Sequence, residues 1–375
     1  MKIQILQEKL KQGLNIVERI SSKSLTLPIL NNILITGEKN FLNLSATDLE
    51  IGINWWILSK TEKEGKITIP SRLLSSFVSL LPNKKIDLSE KDNNLIIECE
   101  NYKTQIKGLF ADEFPIIPKI TGGENVSFMA SSFCKGLAQI VDVVVLSTTR
   151  PEISGVYFNF QKNLLTLAAT DSFRLAEKKI SFKDSLLKQE YSLILPQKTI
   201  REIINIFSEK TGEIKMFFSP NQVMFEYPME EAKHAQVQII SRLIEGEYPN
   251  YQEIIPKKFT TQIILNKAEF LNQIKTASLF SGKINEVKIK TIPEDKKILI
   301  SSQSADIGQH QSSIIGKIKG QPIEISFNHK FLLDGLSNIQ SSEVVFEMNS
   351  DSGPGVLKPL GDDSYIYVVM PIKAS

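Results

Sequence analysis

Asp48 and Asp171 each close a copy of Ala-Thr-Asp, at 46–48 and 169–171, 123 residues apart (171 − 48). Asp306 closes a weaker copy, Ser-Ala-Asp, 135 residues further on (306 − 171). Recurrent carboxylates invite a metal-dependent hydrolase, in which they would gather an ion or act as acid and base. The spacing argues for something plainer. Residues in separate copies of a repeat need not meet, and an Asp beside Ser or Thr after a strand is an ordinary turn residue whose carboxylate satisfies nearby N–H groups. We therefore read the three as landmarks of a repeat and keep the hydrolase as the alternative. The other reactive residues add little to it. His234, His310 and His329 form no His-Glu-x-x-His set, and the chain has neither a Gly-x-x-x-x-Gly-Lys phosphate loop nor a Gly-x-Ser-x-Gly elbow. Cys99 and Cys134 make no metal-ligand pair and are expected to be reduced and buried. The expectation is a non-enzyme without metal or cofactor.

The elements around the aspartates repeat as well. Pro70 and Pro196 each precede a helical pattern, and Phe114-Pro115, Tyr248-Pro249 and Met370-Pro371 each close a block. These intervals all approach a third of the 375 residues. Apolar periodicity predicts helices over 6–20, 72–81, 128–146, 198–207, 267–279 and 329–339, with Ser71 as an N-cap and alternating strands between them. The predicted class is α+β: three similar domains, each with two helices on antiparallel sheets. The boundaries read as 1–119, 126–250 and 257–375. Charged residues make up 23% and the net charge is +2, so overall basicity announces no partner. Every predicted helix nevertheless carries Lys or Arg: Lys9, Arg19, Arg72, Lys135, Lys198, Arg201, Lys267 and Lys330 are examples. Gathered on one surface, they would contact phosphates without reading sequence. The N-terminus has no secretory pattern and no apolar run approaches the roughly 20 residues of a spanning helix, so a cytoplasmic protein without membrane contact is expected.

Thr26-Leu-Pro-Ile-Leu-Asn-Asn-Ile-Leu34, the two Ala-Thr-Asp segments, Glu245-Gly-Glu-Tyr-Pro-Asn-Tyr251 and the terminal Tyr367-Val-Val-Met-Pro-Ile372 together resemble the bacterial DNA polymerase III beta subunit, the sliding-clamp family. The resemblance spans the chain. It implies a DNA clamp fold: two copies joined head to tail in a ring around duplex DNA, helices lining the hole and sheets forming the rim. Such a ring is a processivity factor, tethering the DNA polymerase III alpha subunit and other clamp-binding proteins after a clamp loader has placed it. The resemblance also carries over site residues. For a partner-peptide pocket these are Ile153, Thr170, Ser172, Phe173, Arg174, Leu175, Pro249, Ile254, Ile284, Asn328, Phe331, Val368, Val369, Met370, Pro371 and Ile372. For DNA they are Lys23, Arg72, Arg150 and Lys198, and for the dimer contact Thr104, Ile106 and Leu279. Phe173 stands where many relatives have His, and Glu253 where a basic residue is common.

Overall fold

Two sheet edges that would otherwise be free are joined across repeats, and this decides how the chain is organised. In the computed structural model, which describes residues 1–21, 26–120, 124–182, 187 and 190–372, the thirds of the chain share one order, with five strands between the two helices in the first and third and four in the second among the described residues. The first is β1 (Lys2–Leu6), α1 (Gln7–Val17), β2 (Asn32–Glu38), β3 (Phe41–Thr47), β4 (Ile51–Leu58), β5 (Lys60–Lys63), β6 (Gly65–Pro70), α2 (Ser71–Leu80), β7 (Lys85–Lys91), β8 (Asn94–Cys99) and β9 (Tyr102–Lys107). The second is β10 (Asn125–Met129), α3 (Ala130–Ala138), β11 (Gly155–Gln161), β12 (Leu164–Thr170), β13 (Arg174–Ser181), β14 (Tyr191–Pro196), α4 (Gln197–Phe207), β15 (Glu213–Phe218), β16 (Gln222–Pro228) and β17 (Ala235–Arg242). The third is β18 (Thr261–Asn266), α5 (Lys267–Ser278), β19 (Glu286–Ile292), β20 (Lys297–Ser304), β21 (Gly308–Ile315), β22 (Lys317–Gly320), β23 (Glu324–Asn328), α6 (His329–Asn338), β24 (Glu343–Met348), β25 (Gly355–Pro359) and β26 (Tyr365–Val369).

The helices match the apolar periodicity with three differences. A strand precedes the first helix of every repeat (β1, β10 and β18), and β1 and β10 run into their helices without a turn residue to announce the change. The predicted helix at 128–146 is shorter: α3 stops at Ala138, and a 3₁₀ turn, Val141–Val143, carries the rest of the apolar pattern. Ser71 is not an N-cap. It is the buried first residue of α2, follows Pro70, and its Oγ accepts from Ser21 Oγ at 2.6 Å. Side-chain caps occur instead on α5 and α6, where Asn266 accepts from the Glu269 N–H and Asn328 from the Lys330 N–H, both at 3.0 Å.

All described strand pairings are antiparallel, in four sheets ordered β5-β1-β7-β8-β9, β10-β15-β16-β17-β4-β3-β2-β6, β14-β11-β12-β13-β26-β25-β24-β18-β22 and β21-β20-β19-β23. In the second of these β17 pairs with β4, and in the third β13 pairs with β26, so that sheets cross from one repeat into another. Contacts accordingly divide the chain into two units that cut through the middle repeat. Among the described residues, one holds 1–130 and 209–243, and the other 131–182, 190–208 and 244–372. Within each unit alternate strand residues are buried, as a sheet covered by helices on one face requires. Helix approach is close where a small residue permits it. A side chain at Gly335 of α6 would meet the Tyr367 ring of β26 at 2.5 Å, so only glycine lets this helix lie directly on the strand.

Candidate partner-binding groove

The turn between β12 and β13 is built twice from the same bonds. Thr170 Oγ1 donates to the Arg174 carbonyl at 2.8 Å and accepts from the Ser172 N–H at 3.1 Å. Asp171 Oδ1 accepts from the N–H groups of Phe173 at 3.0 Å and Arg174 at 2.9 Å. In the first repeat Thr47 Oγ1 makes the matching bonds to the Ile51 carbonyl and the Leu49 N–H at 2.9 and 3.0 Å, and Asp48 Oδ1 accepts from Glu50 and Ile51 at 3.0 and 2.7 Å. Ser172 and Leu49 both take positive φ, 75° and 78°. The third copy differs. There the Asp306 N–H donates to Ser304 Oγ at 3.4 Å, and Gly308 supplies the positive φ. Asp48 and Asp171 are thus turn residues with their carboxylates committed to backbone donors. No group of three His, Cys, Asp or Glu that could hold a metal occurs among the described residues. The hydrolase alternative has no constellation behind it there.

What differs between the two turns is the part beyond the aspartate. Here Arg174 lies 12% exposed at its side chain and gathers the surrounding elements. Its Nε donates to Asp171 Oδ2 at 2.9 Å, one terminal nitrogen donates to Asp334 of α6, and the other donates to the Asp142 carbonyl at 3.1 Å. Its guanidinium carbon stands 4.7 Å from the centre of the Phe331 ring. Burial works against this charge, but Tyr367, Asp171 and Asp334 outweigh it and hold the guanidinium above its already high ordinary pKa. Phe173, one residue earlier, stacks on Phe331 with ring centres 6.5 Å apart and remains 62% exposed.

The terminal strand brings the remaining wall. Arg174 pairs with Val369 and Leu175 with Val368, and the Met370 N–H donates to the Phe173 carbonyl at 2.8 Å. The Ile372 N–H then donates to the Ser326 carbonyl at 2.8 Å, which sets Ile372 beside β23. Tyr248 and Tyr251 pack with Leu175, Val356 and Val368, and the Tyr251 hydroxyl donates to buried Glu177 at 2.8 Å. Burial drives the hydroxyl pKa values of both tyrosines upward.

The carried-over residues therefore divide by exposure. Ile153, Leu175, Val368 and Val369 are buried. Thr170, Ser172 and Asn328 spend polar atoms on the turn, on Arg150 and on the α6 cap. Phe173, Ile254 and Ile284 are well exposed, and Arg174, Pro249, Phe331, Met370, Pro371 and Ile372 are half-buried. Around the turn, the printed contacts bring together Phe173, Phe331 and Met370 beside the fixed Arg174 guanidinium. The sequence reading missed Asp142 and Asp334, because pairing across 32 and 160 residues leaves no local pattern.

The sequence matches the three domain families of the DNA polymerase III beta subunit: the N-terminal domain over residues 1–118, the central domain over 129–250 and the C-terminal domain over 252–373. The chain belongs to the DNA polymerase III beta subunit family. It is 30% identical over 370 residues to the beta sliding clamp of Staphylococcus aureus, covering 96% of each chain, and 28% identical over 379 residues to that of Synechococcus elongatus, covering 100% of this chain and 99% of the other. The crystal structure of the DNA polymerase sliding clamp from Bacillus subtilis, 28% identical, superposes over 100% of both chains with a TM-score of 0.94. The fold is thus a three-domain sliding-clamp fold, and the family is one of non-catalytic processivity factors.

Of the carried-over DNA positions, Lys23 lies outside the described residues. Arg72 and Lys198 are exposed near the starts of α2 and α4. Arg150 is bonded toward the groove: it donates to Ser172 Oγ and to Glu152, both at 3.2 Å. Thr104 and Ile106 lie on β9, an edge of its sheet, and Leu279 follows α5 with 69% exposure.

Proposed function

We propose that this chain is a sliding clamp that encloses duplex DNA as a head-to-tail pair of copies and tethers the replicative polymerase, together with other DNA enzymes, through the groove around Phe173. The carrying observation is the match of all three domain families in order along the chain, supported by the Phe173–Phe331 ring pair beside the Asp171 turn. Three domains, at 1–119, 126–250 and 257–375, doubled to six, provide a hole wide enough for a duplex. Enclosure then gives retention without tight binding. Arg72, Arg150 and Lys198 contribute a weak, salt-dependent attraction that leaves the ring free to slide. The edge strand β9, with Thr104 and Ile106, meets the region of Leu279 on the second copy. Opening requires a separate ATP-driven loader, and the protein works in the cytoplasm.

The test is retention. A labelled clamp loaded on nicked circular DNA should survive a salt wash and be released when the circle is cut. Equal loss from intact and linearised circles would remove the reading.

A further inference from the structure

Asp142 sits in the 3₁₀ turn Val141–Val143 and is held from two sides by different parts of itself. Its carboxylate accepts from Arg201 of α4 at 2.9 Å, and its carbonyl accepts from Arg174 in the groove at 3.1 Å. Gln197, the first residue of α4, also donates to the carbonyls of Val141 and Val144, at 3.0 and 3.3 Å. Arg201 lies three positions after Lys198 on the same helix face, and the side chains of Arg201 and Asp142 are 49% and 57% exposed. We infer that Asp142 is a positioning residue that couples the DNA-facing end of α4 to the partner groove. This rests on the clamp reading above.

The physical argument turns on a competition. A phosphate reaching Arg201 offers it a stronger anion than a half-solvated Asp142, since charge-assisted pairs to phosphate are the better ones. Losing Arg201 frees the Asp142 side chain and loosens its carbonyl. That carbonyl is one of the acceptors fixing the Arg174 guanidinium against Phe331. A looser guanidinium means a less organised wall for a peptide, so duplex and peptide should disfavour each other. By linkage the two effects are equal: the factor by which DNA weakens the peptide is the factor by which the peptide weakens DNA. An exposed ion pair can transmit only a modest effect, about two- to fivefold.

Replacing Asp142 by Ala removes the carboxylate tether, while the two Gln197 bonds, made to the Val141 and Val144 carbonyls, keep the turn folded without fixing the Asp142 carbonyl itself. The probe is a fluorescein-labelled nonapeptide with Leu and Phe anchors, titrated against the full protein with and without a linear duplex. For the unmodified chain the duplex should weaken the peptide by about two- to fivefold. Asp142→Ala without DNA should already show the weakened affinity and respond no further to duplex, while Asp142→Asn should restore part of the response. A duplex effect of unchanged size in Asp142→Ala overturns the coupling, as does its absence from an unmodified chain that binds both ligands. An unmodified chain that binds neither peptide nor duplex fails at the clamp reading itself, and the coupling falls with it.

Discussion

Phe173 exposes 62% of its surface, while Leu175, on the same short stretch, exposes 3%. They separate binding from folding. Truncating Phe173 removes the exposed half of a stacked pair and leaves the β13–β26 ladder intact. Phe173→Ala should therefore leave the thermal midpoint nearly unchanged and weaken an apolar-anchored peptide severalfold. Leu175→Ala should do the reverse, costing about 2–5 kcal/mol of stability for a cavity in a packed core. Calorimetry beside a peptide titration tests both. If Phe173→Ala binds the peptide as tightly as the unmodified chain, the groove has been misplaced. The family resemblance placed both residues in one pocket set and did not distinguish them. Nothing in Ser-Phe-Arg-Leu as a string says which side chain faces out, because that depends on β26 arriving from nearly two hundred residues away. Arg174 is the sharper case. The resemblance put it among the pocket residues, and its partners Asp334 and Phe331 are ones that no local spacing reveals.

At the scale of the element, the Thr-Asp turn was legible as a turn because Thr and Asp are the residues that bond their own backbone. Its two copies share bonds to within a few tenths of an ångström, and each stores a non-glycine residue at positive φ. None of the carried-over partner-binding residues lies at the first copy, so it isolates the structural value of the motif. Asp48→Ala abandons the N–H groups of Glu50 and Ile51 and should cost about 1–2 kcal/mol. Leu49→Gly relieves about 1 kcal/mol of left-handed strain against roughly the same loss through unfolded-chain entropy, and should be close to neutral. Urea midpoints of the two variants compare them directly. A harmless Asp48→Ala would mean the repeated Asp is not kept for the turn. The strands before each first helix were not legible. Lys2–Leu6 alternates for five residues and enters α1 with no Gly, Pro or capping side chain between them, so the helical period hides the strand.

The two units of the whole molecule differ in how they should respond to alkali. Tyr248, Tyr251, Tyr365 and Tyr367 all lie in the unit containing the groove, and burial raises the hydroxyl pKa of each above the ordinary value of 10.0. The native state keeps these protons while the unfolded chain releases them from about pH 10 upward. Their contribution is thus fully present below pH 10 and is lost as pH rises above it, at up to about 1.4 kcal/mol per pH unit for each tyrosine. Two lysines act in the opposite sense, since burial lowers their pKa and the unfolded chain binds the extra proton. Lys178 is in the same unit and offsets part of the loss, whereas Lys210, packed over Trp55 and Tyr227, is in the other. The net alkaline penalty falls on the groove-containing unit. Both tryptophans, Trp55 and Trp56, belong to the other unit, so the chain carries its own reporter. Raising the pH from 8 to 12 should give a cooperative rise in phenolate absorbance with loss of strand signal, while the tryptophan emission maximum stays at its native position until higher pH. Simultaneous movement of all three signals would show that the two units unfold as one, and that the tyrosines do not choose where alkali acts.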